Sequence, residues 1–138
     1  MTITISCTEK NYQDEEASFH MPTIYSTETN EFMKIDTDVI EKIYQEAHGN
    51  SSWDPSASFV IYETCQQDCS IIISTATNNK YVRYRHLDGS TYNVLNALSL
   101  DSTWLKVHPG NNKFAYTCEE GDINVDINIK ATVLISGA

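Results

Sequence analysis

The sequence has little proline or glycine, and it contains no long apolar run. Three prolines and five glycines in 138 residues are too few for a collagen-like or low-complexity chain. A membrane-spanning helix needs about twenty consecutive apolar residues, and no stretch approaches that length. The first residues have neither the basic region nor the apolar core of a signal peptide. The sequence therefore predicts a soluble product of a cytoplasm.

Basic side chains are also scarce. Nine lysines and arginines stand against nineteen acidic residues, which gives a net charge of −10. All of the excess lies in residues 1–69, with thirteen acidic and three basic side chains, whereas residues 70–138 have six of each. Because binding to nucleic acid and to anionic membranes depends on lysine and arginine, we expect no nucleic-acid partner and no membrane insertion. The acidic surface is either solvated or faces a basic protein.

Recognisable catalytic motifs are missing too. The chain has no nucleophile-elbow glycine pattern, no phosphate-binding loop and no His-Glu-x-x-His. Cys65 and Cys69 are separated by three residues, close to but not at zinc-finger spacing, and no second pair follows in register. A Cys/His hydrolase needs its groups to converge in space, which the four scattered histidines leave open. We predict a non-enzymatic protein with no catalytic residues, no cofactor and no metal site.

One segment has the pattern of a helix, residues 38–48. Asp38 and Glu41 have the spacing of a capping box, in which Asp38 is the N-cap. An apolar stripe at helical spacing follows, formed by Ile40, Ile43, Tyr44 and Ala47. His48 in the last turn and Gly49 just beyond it are typical of a helix end.

The remaining pattern is that of short strands. Residues 123–135 alternate between apolar and polar side chains with a single exception, as in an antiparallel strand with one wet face. Further strands are predicted at residues 2–7, 19–25 (at a sheet edge, because of Pro22), 59–62, 71–73, 81–87, 104–107 and 114–118. Asp88-Gly89 marks a turn. The sequence predicts one mainly β domain over residues 1–138, a sandwich or a barrel, with an acidic segment at 1–58 and the β core at 59–138.

Four side chains are candidates for binding. Tyr81, Arg83 and Arg85 share one face of a predicted strand, where they form a basic strip facing solvent. The strip could contact an acidic partner, including the acidic half of a neighbouring copy, and such head-to-tail contacts favour rings. Trp104 is the fourth candidate because sugar-binding sandwiches use aromatic faces, although a tryptophan is more often a core residue.

Half of the chain resembles a known family. Four stretches carry the resemblance: residues 71–75 (IIIST), 79–82 (NKYV), 93–107 (NVLNALSLDSTWLKV) and 109–117 (PGNNKFAYT). In this order they are similar to the C-terminal portion of siphophage distal tail proteins and related phage tail components. The shared order is a strand, an Asn-Val-Leu segment, a Leu-x-Ser strand, a Pro-Gly-x-Asn turn and a final strand.

This resemblance implies a galectin-like or jelly-roll-like β-sandwich in a bacteriophage tail or baseplate, made in the host cytoplasm and carried in the virion. Its role would be virion assembly or host attachment. Its partners would be other tail proteins, further copies in a ring and a cell-surface glycan. Since residues 1–68 are shorter than the ring-forming domain of that family, an accessory tail or baseplate protein is an alternative. Two other functions stay open: a carbohydrate-binding β-sandwich module and an acidic inhibitor of a host defence protein.

Overall fold

Two antiparallel sheets and one helix account for the regular structure of the described residues. The computed structural model describes residues 1–7, 20–57, 60, 62–64, 68–108, 112–119 and 125–131. The first sheet has the order β6-β5-β4-β1-β8 and consists of β1 (Thr2–Cys7), β4 (Ser70–Ala76), β5 (Asn79–Arg85), β6 (Thr91–Asn93) and β8 (Val125–Lys130). The second has the order β3-β2-β7 and consists of β2 (Thr23–Ser26), β3 (Phe32–Lys34) and β7 (Phe114–Thr117). The helix is α1 (Thr37–Ala47), and a short 3-10 turn, η1, covers Leu95–Ala97. The predicted mainly β fold, an antiparallel β-sandwich with one short helix, is confirmed.

Strand β1 lies inside the larger sheet, between β4 and β8. Its sequence alternates as predicted, so that Ile3, Ile5 and Cys7 are buried while the intervening threonines and serine are half-buried. This alternation places the apolar side chains on the inner face of the pleat. Because β1, β2 and β3 all come from the acidic half, the β core is not confined to residues 59–138 as we predicted.

The inner layer beneath this sheet is formed partly by the small sheet and partly by the helix. Ile24 of β2 and Met33 of β3 are cross-strand partners, and both are buried in the core. At the other end, the Tyr44 ring of α1 lies 6.2 Å from the Tyr84 ring and 5.7 Å from the Tyr92 ring, measured between centroids. The helix therefore covers the part of the large sheet that carries β5 and β6.

Helix α1 begins one residue earlier than predicted, and its N-cap is Asp36 rather than Asp38. The Asp36 carboxylate accepts hydrogen bonds from the backbone N–H groups of Asp38 and Val39, at 3.0 and 3.3 Å. The predicted capping box is wrong because Glu41 does not reach back to the helix start and is fully buried. The predicted end is confirmed, since Gly49 follows the last turn with φ +83°, a conformation that glycine adopts without strain.

Several strand predictions need correction. Strand β2 is central rather than at an edge, because Pro22 precedes the first paired residue and does not interrupt the ladder. Residues 104–107 are not a strand. Of the predicted strand 59–62, Val60 and Tyr62 lie in no strand. Residues 59 and 61 lie outside the described residues, as does residue 19 of the predicted strand 19–25.

The final predicted strand is confirmed over residues 125–130, which form β8. The prediction is wrong for Ala131, which lies beyond the end of β8 and is exposed. Asp126, Asn128 and Lys130 of β8 are exposed, whereas Ile127 and Ile129 are half-buried against the core. Residues 123, 124 and 132–135 of that prediction lie outside the described residues.

The predicted turn at Asp88-Gly89 is also present. Gly89 has φ +90°, and the Asp88 carboxylate accepts hydrogen bonds from the hydroxyl and the backbone N–H of Ser90. These hydrogen bonds hold the pKa of the Asp88 carboxyl below its ordinary value, and the bond from the Ser90 hydroxyl has the larger effect.

Candidate functional site

Three of the four candidate binding residues lie together on the outer face of the large sheet. In β5, Tyr81, Arg83 and Arg85 alternate with the buried Val82 and Tyr84. The Arg83 guanidinium carbon lies 4.0 Å from the centroid of the Tyr81 ring, and both arginines are exposed. A cation over an aromatic face at an exposed site is worth about 0.5–1 kcal/mol. The predicted basic strip is therefore present, with one guanidinium held against a ring.

Trp104 is not part of this strip. Lys80 lies two residues before the buried Val82 in β5, so the two residues are on the same, inner side of the sheet. The Lys80 ammonium nitrogen is 5.7 Å from the Trp104 ring centroid. Trp104 itself is half-buried and packs against the core. Trp104 and Tyr81, both candidate binding residues, therefore belong to opposite sides of the sheet and do not form one surface.

The described cross-strand neighbours of the strip are uncharged. Cross-strand pairing places Ile72 and Asn93 beside Arg83, and Ser70 and Thr91 beside Arg85. Within the part of the chain that the structure describes, the one ion pair joins Lys34 and Glu119, at 3.5 Å. No described carboxylate therefore neutralises Arg83 or Arg85, although the chain as a whole carries a net charge of −10.

A buried polar cluster that the sequence did not predict lies on the inner side of β5. The Tyr84 hydroxyl is 2.7 Å from His86 Nδ1 and 3.0 Å from Cys69 Sγ. The Tyr44 hydroxyl of α1 is 3.3 Å from His86 Nε2. All four side chains are buried. We refer to Tyr44, Cys69, Tyr84 and His86 as the inner cluster.

One assignment of protons satisfies these contacts. With its proton on Nδ1, His86 donates to the Tyr84 oxygen. Tyr84 donates to Cys69 Sγ, and Tyr44 donates to His86 Nε2. Hydroxyl and imidazole protons are assigned from such networks, and buried polar groups require partners. The inner cluster thereby ties α1 to β5 and to the residue that precedes β4.

The cluster also brings a thiol and an imidazole together, with Cys69 Sγ 3.7 Å from His86 Nδ1. A thiol hydrolase pairs these two groups, but its cysteine must meet substrate. Cys69 is 1% exposed, and the Tyr84 hydroxyl lies close to both atoms of the pair. The arrangement is that of a closed core network. A signal for it was present in the sequence, since Tyr84 and His86 continue the period-two pattern of Val82, but the contact with Tyr44 depends on the fold.

Burial raises the pKa of the Tyr44 phenol, and the nearby Glu63 carboxylate adds to the effect. In the unfolded chain a tyrosine loses its proton near pH 10, whereas the folded chain keeps this proton to higher pH. Above about pH 10 the unfolded state therefore binds fewer protons, and the free energy of unfolding falls as pH rises.

We expect Tyr44→Phe to remove this contribution to the pH dependence. The variant should be less stable at pH 7 by about 1 kcal/mol, because it loses the hydrogen bond to His86. Its urea midpoint should then decline less steeply than that of the wild type between pH 9 and 11. Tyr116→Phe, at an exposed position, is the matched control. Parallel curves for wild type and Tyr44→Phe would contradict the proposed environment of the phenol.

The described residues contain neither a metal-binding cluster nor a membrane-spanning helix. Among the described residues, no group of three or more histidine, cysteine, aspartate and glutamate side chains is placed to hold a metal ion. Across the same residues, no helix is long and apolar enough to cross a membrane. Comparison of the chain with protein-family models, curated proteins and solved structures found no match in any of the three.

Proposed function

We propose that the protein is a non-enzymatic structural component of a bacteriophage tail or baseplate and that it binds an acidic partner surface through Tyr81, Arg83 and Arg85. The observation that carries the binding role is the strip of two exposed arginines, without a described acidic partner, on an otherwise acidic chain. Complementary charge raises the rate and specificity of association more than its affinity. Such a strip is suited to assembly with a defined partner.

The tail assignment is supported by the resemblance over residues 71–117. Three of its pieces coincide with regular structure: the first lies in β4, the second in β5, and the final one ends in β7. The Asn-Val-Leu segment covers the end of β6 and the start of η1. The partner of the strip would be another tail protein or the acidic half of a second copy in a ring.

The non-enzymatic part of the proposal is supported by the inner cluster. Its thiol and imidazole are the types of group that a thiol hydrolase pairs, and both are buried below the sheet surface. Their hydrogen bonds to Tyr84 and Tyr44 give them a structural role.

The carbohydrate-binding alternative receives less support from the geometry. A sugar ring stacks on an open aromatic face, but one face of Tyr81 is occupied by the Arg83 guanidinium. Trp104 lies on the opposite side of the sheet, beside Lys80. The two aromatic residues cannot form one sugar platform.

The test uses purified virions and a charge reversal. Immunogold electron microscopy should locate the wild-type protein at the tail. The charge reversal Arg83→Glu/Arg85→Glu should reduce its incorporation by about tenfold or more, which corresponds to a loss of about 1.4 kcal/mol or more in binding free energy. Lys42→Glu, at an exposed position of α1, is the control and should be incorporated normally.

The two parts of the proposal fail separately. Absence of the wild-type protein from virions would remove the tail assignment. Normal incorporation of the double variant would leave the tail assignment intact and dismiss the arginine strip as its docking surface. Recovery of a host defence protein with the wild type, and of no tail protein, would support the inhibitor alternative.

A further inference from the structure

The edge of the large sheet formed by β8 is unusually regular. All six residues of β8 pair with β1, from Cys7 opposite Val125 to Thr2 opposite Lys130, without a bulge. The strand contains no proline, and among the described strands it pairs with β1 alone. The opposite edge, β6, has only three residues. Natural edge strands are commonly short, bulged or interrupted by proline, and β8 has none of these features.

The backbone of β8 also directs hydrogen-bonding groups to the side on which the described residues provide no partner strand. At the ends of β1, Thr75 N–H donates to the Met1 carbonyl at 2.9 Å, and Cys7 N–H donates to the Cys69 carbonyl at 3.4 Å. In an antiparallel sheet the bonding side alternates from residue to residue. The odd residues of β1 therefore bond to β4 and the even ones to β8. It follows that Ile127 and Ile129 of β8 direct their N–H and C=O groups away from β1.

We propose that β8 pairs with β8 of a second copy of this chain, antiparallel and about a two-fold axis at Asn128. In this register Ile127 faces Ile129 of the second copy, and both have outward main-chain groups that can bond to each other. Asn128 faces its own counterpart. Asp126 faces Lys130 of the second copy, and the two-fold axis repeats that ion pair at the other end.

Charge selects this register from the others that the backbone allows. An axis at Asp126 would oppose two carboxylates, and an axis at Lys130 would oppose two ammonium groups. With an axis at Ile127 or Ile129, neither Asp126 nor Lys130 faces a side chain of opposite charge in the second copy. The axis at Asn128 alone matches both charged side chains, which are exposed on the outer face of β8, and opposite charges across a strand pair stabilise it.

A groove beneath β8 gives the pairing a second source of stability. A cavity of about 220 Å³ lies between the edge strands β7 and β8, and it is lined by Ile24, Phe114, Ala115, Tyr116, Asp126, Ile127 and Ile129. Ile127 and Ile129 are only half-buried in one chain. Across the two-fold axis, the same isoleucines of the second copy would cover this surface. Strand addition at a sheet edge commonly combines main-chain bonds with such side-chain contacts.

This pairing does not depend on the tail assignment. It uses the β8 edge, whereas the arginine strip lies on β5 near the opposite edge. The Arg83→Glu/Arg85→Glu variant should therefore keep the β8 contact, and failure of one proposal leaves the other standing.

Charge exchange in β8 tests the register. We expect a dimer for the wild type in light scattering coupled to size exclusion at low salt. Asp126→Lys and Lys130→Asp should each raise the dimer dissociation constant by about tenfold or more, because both symmetry-related pairs become repulsive. An equimolar mixture of the two variants should dimerise again, since one copy then offers two lysines and the other two aspartates. The double variant Asp126→Lys/Lys130→Asp should also dimerise.

A cysteine at the axis tests the same register independently. Cα atoms of a pair without mutual hydrogen bonds lie about 4.5 Å apart, within the range that a disulfide spans. Asn128→Cys should give a covalent dimer on mild oxidation, and Asn93→Cys, exposed on β6, is the matched control. A monomeric wild type, a mixture of charge variants that stays monomeric, or equal cross-linking of Asn128→Cys and Asn93→Cys would each overturn the proposal.

Discussion

Ile3→Ala is expected to lower the free energy of unfolding by about 4 kcal/mol, a large share of the 5–15 kcal/mol typical of a domain. Ile3 is 0% exposed, and its strand is paired on both sides, with Ile73 and Ile129 as its cross-strand neighbours. Removal of three buried carbons leaves a cavity that the flanking strands cannot close. Urea unfolding followed by far-ultraviolet circular dichroism measures the loss.

Thr4→Ala is the matched control, one residue further along the same strand. Thr4 is half-buried on the outer face of the sheet, and its truncation should cost less than about 1 kcal/mol. A slip of one residue in strand register exchanges the two faces. A larger loss for Thr4→Ala than for Ile3→Ala would therefore refute the register of β1. A larger loss for Ile3→Ala would support the position of β1, a strand of the acidic half, in the core of the fold.

The period-two pattern predicted the faces of the strands well. It indicated the buried isoleucines of β1, the wet and dry faces of β8, and the shared outward face of Arg83 and Arg85. Each of these depends only on the alternation of side chains along a pleated strand. What the pattern does not contain is the neighbour of each strand. The insertion of β1 between β4 and β8 depends on pairing over more than 60 residues of sequence separation, and the sequence alone suggested a division into two halves.

Other features could not be predicted because competing local signals are alike. Asp36 and Asp38 are both good N-cap residues. The N-cap is whichever of them has an extended backbone conformation where the chain leaves β3. Residues 104–107 have strand propensity but no partner strand, and propensity alone does not form a ladder. The inner cluster joins Tyr44 to His86 across 42 residues, so its geometry is a property of the tertiary fold.

The buried carboxylate of Glu41 shows how a polar residue on an apolar helix face becomes part of the core. Its Oε1 accepts hydrogen bonds from the backbone N–H groups of Glu63 and Thr64, at 2.6 and 2.9 Å, and from the Thr64 hydroxyl at 2.9 Å. Its Oε2 accepts one from Gln45 Nε2 at 2.9 Å. The side chain is 0% exposed. These four bonds fasten the segment at residues 63 and 64 to α1.

Glu41→Ala is expected to lower the free energy of unfolding by about 3 kcal/mol or more, because a buried donor left without an acceptor costs about 1–3 kcal/mol. Glu41→Gln should cost less. Its amide oxygen can still accept from residues 63 and 64, while its amide NH₂ loses the contact with the NH₂ of Gln45.

Glu46→Ala, exposed on the same helix, is the matched control and should stay within about 0.5 kcal/mol of the wild type. Urea unfolding of the three variants should therefore give the order Glu46→Ala, Glu41→Gln, Glu41→Ala, from most to least stable. Equal stability of Glu41→Ala and Glu46→Ala would mean that the carboxylate does not hold residues 63 and 64 to the helix. The expected order would instead show that Glu41 stabilises the segment at residues 63 and 64 against α1. The capping-box spacing of Glu41 does not indicate this role.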